Sequence, residues 1–368
     1  MLRMLSCCVP LSSMIILSFI LPIASCKVKH LFIFGQMRNF SGRLCFPVVR
    51  IIIVSAEQKK SAADCTPEPY SGAAWRDLQM LGDCHVHMVL DGIYYRDAIG
   101  RHRAAVDDGW IRSVLARYRE AGVAFVRDGG DAFGVCRRAA ELAPEYGIDY
   151  RTPLFPIHRL GRYGGFIGRG FETPAEYRAL LAEIRAGGGD FVKLMVSGLM
   201  DFNRYGAITS QPLQAAEIRD LVSAAHDAGF AVMIHANGAD TVRAALLAGA
   251  DSIEHGSYQD PECLHLLAES DAVWVPTLVT VGNLRGSGRY DPAAVERILE
   301  MQLQNVAAAR RLGARIALGS DAGAWRVPHV QGAFDEYRLL CQALGPDARA
   351  VLTRGEAWIR RRFRRDAL

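Results

Sequence analysis

The chain has 368 residues, half of them hydrophobic, with a formal net charge of +4. That length suits one large barrel or two ordinary domains, and the apolar share can fill a sizeable core. The charge gives no argument for nucleic acid, and no nucleic-acid partner is expected.

Residues 1–60 differ from the rest. They hold four of the five lysines and four of the nine cysteines, whereas the remainder is rich in Ala, Arg, Gly and Asp. MLRMLSCCVPLSSMIILSFILPIASC (1–26) carries an Arg and then an interrupted apolar stretch, the pattern of a signal peptide, and Ile23-Ala24-Ser25-Cys26 fits a lipobox. Two readings stay open: an export or lipoprotein signal, or an over-extended start, which the abrupt change in composition favours. Residues 1–70 are therefore set apart as an N-terminal extension, and 71–368 as the catalytic domain. VVRIIIVSA (48–56) is a candidate strand within the extension. A cytoplasmic location without a stable membrane partner is expected, unless residues 1–26 are a genuine signal that exports or lipid-anchors the chain. Cys84, Cys136, Cys263 and Cys341 are widely spaced and form no CxxC pair. That is the usage of reduced, buried thiols, not of a disulfide framework.

From residue 81 a unit repeats: a short apolar run ending in polar residues or Gly, then an amphipathic stretch. The strands expected are 81–87, 123–130, 150–158, 191–198, 230–238, 251–256, 273–279 and 315–322. Helices are expected at 111–122, 174–188, 212–229, 241–250 and 292–314, where apolar residues recur at helical spacing and Gly closes most of the stretches. Eight such alternations predict a (β/α)8 TIM barrel, typically about 250 residues long. Two further helical stretches follow, 330–344 and 347–365. The basic run WIRRRFRR (358–365) reads as a solvated helix end.

A barrel places its chemistry at the C-terminal ends of its strands. His85 and His87 end the first expected strand, Lys193 lies on the fourth, His235 ends the fifth, His255 the sixth and Asp321 the eighth. Side chains alternate along a strand, so His85 and His87 face one side and can reach one ion. Histidines from the next strands can reach a second. These donors suit Zn2+, with Mn2+, Co2+ or Fe2+ as alternatives.

Lys193 is the single lysine after residue 60, against 34 arginines. Arg stays protonated, whereas a buried Lys can become a neutral amine. Such an amine can add CO2 to give a carbamate, a carboxylate on a long stem. Two dications close together repel and need an anion between them. Carbamylated Lys193 has the reach to bridge them.

The set HxH, Lys, His, His and Asp, with DCHVHMVLDG (83–92), VKLMVSG (192–198), AVMIHANG (231–238), AGADSIEHG (248–256) and ALGSDAG (317–323), resembles the binuclear branch of the amidohydrolase superfamily. It looks most like the imidazolonepropionase-related and prolidase-like members. The resemblance runs from about residue 80 to about 325. It implies a metal-dependent hydrolase cutting an amide C–N bond. His85, His87 and Asp321 would hold one ion and His235 and His255 the other, with Lys193 and a hydroxide as bridges. The hydroxide would attack the carbonyl, and Asp321 would pass its proton to the leaving amine.

The small flanking β-sandwich of many relatives is expected to be absent or reduced, because helical stretches follow Asp321. Many relatives also read HAHG where this chain reads His235-Ala236-Asn237-Gly238. The expected substrate is a small molecule: a dipeptide, an N-acyl amino acid or a cyclic amide. Candidate substrate-binding residues are His158, Arg159, Tyr205 and Asn237, with Arg127, Asp128 and Tyr163 also placed at the mouth. The alternatives are an esterase, lactonase or phosphotriesterase on the same site, a mononuclear deaminase, or a non-catalytic scaffold. A homo-oligomer is expected. No G-x-S-x-G elbow, Rossmann fingerprint or Walker loop appears.

Overall fold

The computed structural model describes residues 81–365 in full and, before them, the backbone of three strands: β1 (Met14–Phe19), β2 (Leu31–Gln36) and β3 (Arg50–Ile52). The chain forms two compact units, Met1–Pro69 and Tyr70–Leu368. In the first, β2 pairs antiparallel with both β1 and β3. Apart from these strands, residues 1–80 lie outside the described residues; so, except at β1, does the segment 1–26 read as signal-like.

The second unit alternates strands and helices. β4 (Asp83–Val86), β5 (Phe125–Asp128) and β6 (Asp149–Arg151) form one parallel sheet. β7 (Pro156–Arg159), β8 (Arg169–Phe171), β9 (Val192–Met195), β10 (Val232–Ala236), β11 (Ser252–His255), β12 (Val273–Val275) and β13 (Arg315–Ile316) form another, in the order β13-β12-β11-β10-β9-β7-β8. All its pairings are parallel.

Two departures from the expected strands have local causes. The third strand breaks in two. Pro153 offers no N–H to a ladder, and Leu154 takes φ +67°. The piece before the break pairs with β5 and the piece after it with β9. The eighth strand keeps only two regular residues, yet its continuation stays bonded to β4. Cys84 N donates to Leu318 O at 2.9 Å, Asp321 N to His85 O at 2.7 Å and His87 N to Ala322 O at 2.8 Å. Gly319 permits this approach, since a Cβ there would lie 2.9 Å from His85 Cβ.

Four of the helices start at a side-chain cap: Asp107, Thr173, Asp260 and Asp291. α1 (Tyr95–Arg101) and α2 (Asp108–Glu120) follow β4, and α3 (Val135–Leu142) follows β5. α4 (Pro174–Gly187) starts in a Thr173–Glu176 capping box and stops at Gly188, φ +79°. α5 (Ala215–Asp227), α6 (Ala239–Leu247), α7 (Pro261–Glu269) and α8 (Val279–Gly282) follow in turn. α9 (Pro292–Leu312) is capped by Asp291. α10 (Gln331–Leu344) and α11 (Ala348–Arg362) complete the described elements. Among the described residues no strand follows β13. Nor is any helix among them long and apolar enough to cross a membrane.

The interior between the strands is filled by Cys84, Phe125, Phe191, Ala231, Met233, Val273, Val275 and Ala317, together with Ile359 and Phe363 from the end of α11. The Phe363 ring meets that of Phe191 edge-on at 5.3 Å. Part of the basic run is thus a hydrophobic plug: Phe363 is fully buried. The plug closes one end of the strands and leaves the other for chemistry.

Candidate metal centre

The four expected histidines and Asp321 converge. The rings of His85 and His87 lie 5.4 Å apart, those of His85 and His255 5.2 Å, and those of His235 and His255 4.5 Å. Asp321 Oδ1 stands 3.4 Å from both His85 Nε2 and His87 Nε2. Donor atoms of His85, His255 and Asp321 all fall within 4.8 Å of one another. Strand alternation alone would turn His255 away from Glu254. His255 instead takes φ +64°, and Asp321 takes φ +57°. Non-glycine residues adopt such angles at a cost that persists where function needs the side chain re-aimed.

Lys193 lies close enough for its charge to act on all five. Its Nζ is buried and has no hydrogen-bond partner among the described residues. An orphaned buried amine costs several kcal/mol by general estimates, about 1–3 or more, and burial drives its pKa below the usual lysine value. Burial also holds His87 and His235 at about 3, helped by the positive charge of Lys193, and keeps His85 and His255 well below their ordinary range. The imidazoles are therefore neutral, the form that binds metal. Burial pushes the Asp321 carboxyl up, while Lys193 opposes the shift. Neutral imidazoles, one carboxylate and an amine without a partner fit a divalent-metal centre, and they fit the conversion of that amine to a carbamate.

The ligands are oriented by partners of their own. His85 Nδ1 lies 2.7 Å from Glu254 Oε2, a close contact that is out of line for a hydrogen bond and sets a carboxylate against the ring. Glu254 Oε1 accepts from Arg127 Nη2 at 2.8 Å, and Arg127 Nε donates to Cys84 O at 2.7 Å. His235 Nε2 lies 3.2 Å from Gly198 O, which leaves Nδ1 free. His255 Nδ1 meets Thr277 Oγ1 at 2.7 Å. Asp83 accepts from Ser320 N and Oγ at 2.8 and 2.6 Å, and so steadies the segment that carries Asp321.

The substrate-binding candidates fare unevenly. Arg127 and Asp128 do not line the mouth. Arg127 is fully buried beneath the ligands, and Asp128 holds Met88 N, Gly130 N and the Tyr150 hydroxyl. Asn237 is buried and its amide is committed: Nδ2 donates to Gly198 O at 3.1 Å and Oδ1 accepts from Ser257 N at 3.2 Å. It ties strand ends together, with one N–H and one lone pair committed to backbone. His158 is buried, with Nδ1 3.0 Å from Arg159 O and its ring against Gly164 and Gly168. Arg159 is paired with Glu217 at 2.9 Å. Tyr205 packs on Tyr258 beneath the Arg297 guanidinium. Tyr163 does face the centre, its ring 5.0 Å from that of His235. Glu254 was not anticipated. Its signal in the sequence is an acid beside a ligand histidine in a strand too buried to hold an unpaired charge.

An amidohydrolase family model matches residues 110–352. The chain belongs to the amidohydrolase family. The match begins beyond His85 and His87, so that pair rests on the geometry above. An uncharacterized protein of Mycobacterium tuberculosis is 28% identical to this amidohydrolase over 318 residues, 80% of this chain and 78% of the relative. The ochratoxinase of Aspergillus niger is 27% identical over 276 residues, 66% of this chain and 57% of the relative. Among solved structures, a Xaa-Pro dipeptidase with bound methionine superposes with TM-score 0.59 at 22% identity, covering 75% of each chain. The A. niger ochratoxinase superposes with TM-score 0.60 at 20% identity, covering 74% of this chain and 68% of that one. At such identities the superpositions speak for the fold. Family membership makes this amidohydrolase a metal-binding hydrolytic enzyme acting on carbon–nitrogen bonds.

Proposed function

We propose that the protein is a binuclear, zinc-type amidohydrolase on a closed (β/α)8 barrel, cleaving a dipeptide, N-acyl amino acid or cyclic amide that carries a bulky apolar group. The observation that carries the reading is the unpartnered Nζ of Lys193, whose charge acts on four histidines and Asp321. Barrel closure is supported by the bonds from 318–322 to β4, and by the third strand serving both sheets.

His85, His87 and Asp321 would hold one divalent ion, His235 and His255 the other, and carbamylated Lys193 would bridge. When bound, the ions lower the pKa of water towards neutrality and polarise the scissile carbonyl. The remaining work falls to the chain. Asp321 presents Oδ1 to the histidines, which leaves Oδ2 to take the proton of the attacking water and deliver it to the leaving nitrogen. Tyr163 covers His235 and keeps bulk water away.

The apolar preference rests on a ladder of rings leading outward. Tyr163 meets Phe166 at 5.7 Å, Phe166 meets Tyr95 at 5.9 Å, and Tyr95 meets Tyr94 at 5.9 Å. Ile93, Tyr94, Leu160 and Leu199 are exposed on loops that follow strands β4, β7 and β9, and Tyr95, also exposed, opens α1. Large apolar groups gathered at a site's rim mark a surface that binds.

Metal-loaded protein incubated with N-acyl amino acids and dipeptides of graded side-chain size should release amine, fastest for aromatic and branched side chains. Asp321→Asn should lower kcat by about 10²–10⁴-fold. Absence of C–N cleavage across the panel, or full activity in Asp321→Asn, would overturn the reading.

A further inference from the structure

The basic run at 358–365 divides by partner. Arg360 pairs with Glu356 at 2.7 Å, Arg362 pairs with Asp251 at 2.5 Å, and Arg365 donates to Gly188 O. Trp358 and Arg361 do otherwise. They line a cavity of about 910 Å³ at the start of β13, and both also line a neighbouring one of about 330 Å³. The larger cavity is bordered by Arg310, Arg311, Arg315, Arg354, Arg361 and Trp358. Arg315 and Ile316 open the segment that Asp321 closes, so the cavity lies at the other end of that segment from the metal ligands.

The charge there is not balanced. Arg310 is paired with Asp347, the one carboxylate of the lining. Arg315 meets Asp271 at 3.2 Å. Arg311, Arg354 and Arg361 have no ion-pair partner among the described residues. A helix C-terminus accounts for Arg310 and Arg311 at the end of α9 and for Arg361 in the last turn of α11. It does not account for Arg354, which lies within α11. Arg354, Trp358 and Arg361 stand at i, i+4 and i+7 and share one face of α11. Arg360 and Arg362 on that helix are matched with acids, whereas this face carries arginines without them. Like charges gathered in a concave site repel unless an anion enters.

We propose that this cavity is a second ligand site, separate from the metal centre, that binds a phosphate-bearing polyanion. Guanidinium groups are the side chains suited to bidentate phosphate contacts. Trp358 carries the Arg315 guanidinium over its ring at 5.8 Å and offers its remaining aromatic surface to a planar base, so the ligand is either a nucleoside polyphosphate or an inorganic polyphosphate.

The test is calorimetric titration of the full chain with ATP and with inorganic tripolyphosphate. One saturable site in the micromolar range is expected. Arg354→Gln/Arg361→Gln, which alters two exposed side chains without ion-pair partners, should weaken both anions by about tenfold or more. Trp358→Ala should weaken ATP alone if the ligand is a nucleotide, and neither anion if it is inorganic; both outcomes uphold the site. Asp321→Asn should bind as the unaltered chain does. Absence of saturation at millimolar anion, an unchanged affinity in the double arginine variant, or loss of binding in Asp321→Asn would each overturn the proposal. The last result would move the anion to the metal centre.

Discussion

Glu254 offers a perturbation whose two effects can be separated. Its side chain is fully buried, as is that of Arg127. Oε1 accepts from Arg127 Nη2 at 2.8 Å, and Oε2 lies 2.7 Å from His85 Nδ1. Glu254→Ala strands the Arg127 cation over the Phe363 ring, 4.5 Å away, with only Cys84 O and Ser252 Oγ for company. Breaking a buried pair by removing one partner costs about 3–5 kcal/mol. For a domain approaching 300 residues each kcal/mol lowers Tm by about 2 °C, so a fall of roughly 6–10 °C is expected by differential scanning calorimetry. His85 also loses the carboxylate that lies against its Nδ1 side, and zinc affinity should fall about 10–100-fold in competition with a chromophoric chelator. Arg127→Met/Glu254→Leu removes both charges together and should recover part of the Tm but none of the zinc affinity. A Glu254→Ala protein within about 1 °C of the unaltered chain and with the same zinc affinity would refute the reasoning. So would a double variant no more stable than Glu254→Ala.

Other expectations follow from single groups. Glu336 accepts from Val279 N at 2.7 Å, and burial pushes its carboxyl up to about 8 from 4.5. The folded state therefore holds a proton that the unfolded state releases, and stability declines as pH rises from 4.5 through 8, by up to about 1.4 kcal/mol per pH unit. Glu336→Gln should flatten that decline in Tm scans at pH 5 and pH 8; parallel scans would contradict it. Phe363→Ala empties the plug and should cost about 3–5 kcal/mol in denaturant unfolding, and a loss below about 1 kcal/mol would deny that it is a core residue. Tyr163→Ala should lower kcat/KM on apolar amides while metal content stays constant, and an unchanged kcat/KM would remove Tyr163 from the site.

The ligand set could be read from the sequence because its signals are local. His85 and His87 share a side by alternation, and Lys193 stands out as a lysine in an arginine background. The supporting layer could not be read in the same way. Arg127 and Glu254 are partners across 127 positions, and nothing near Arg127 distinguishes a buried guanidinium from one at the mouth. Phe363 hides among arginines, so its burial depends on where α11 ends against the strands. The break in the third strand was legible in principle from Pro153, whereas the positive φ of His255 and Asp321 comes from tertiary demands that local propensity does not record. Asn237 looked available because its environment sets its role, and that environment is two other strand ends.

The central claim is that Lys193, as a carbamate, bridges two metal ions. Elemental mass spectrometry of residues 70–368, purified without chelator and supplied with zinc and bicarbonate, tests it most directly. The account predicts close to two metals per chain, falling to one or fewer in Lys193→Arg, which keeps the charge and cannot add CO2. Two metals retained in Lys193→Arg would contradict it.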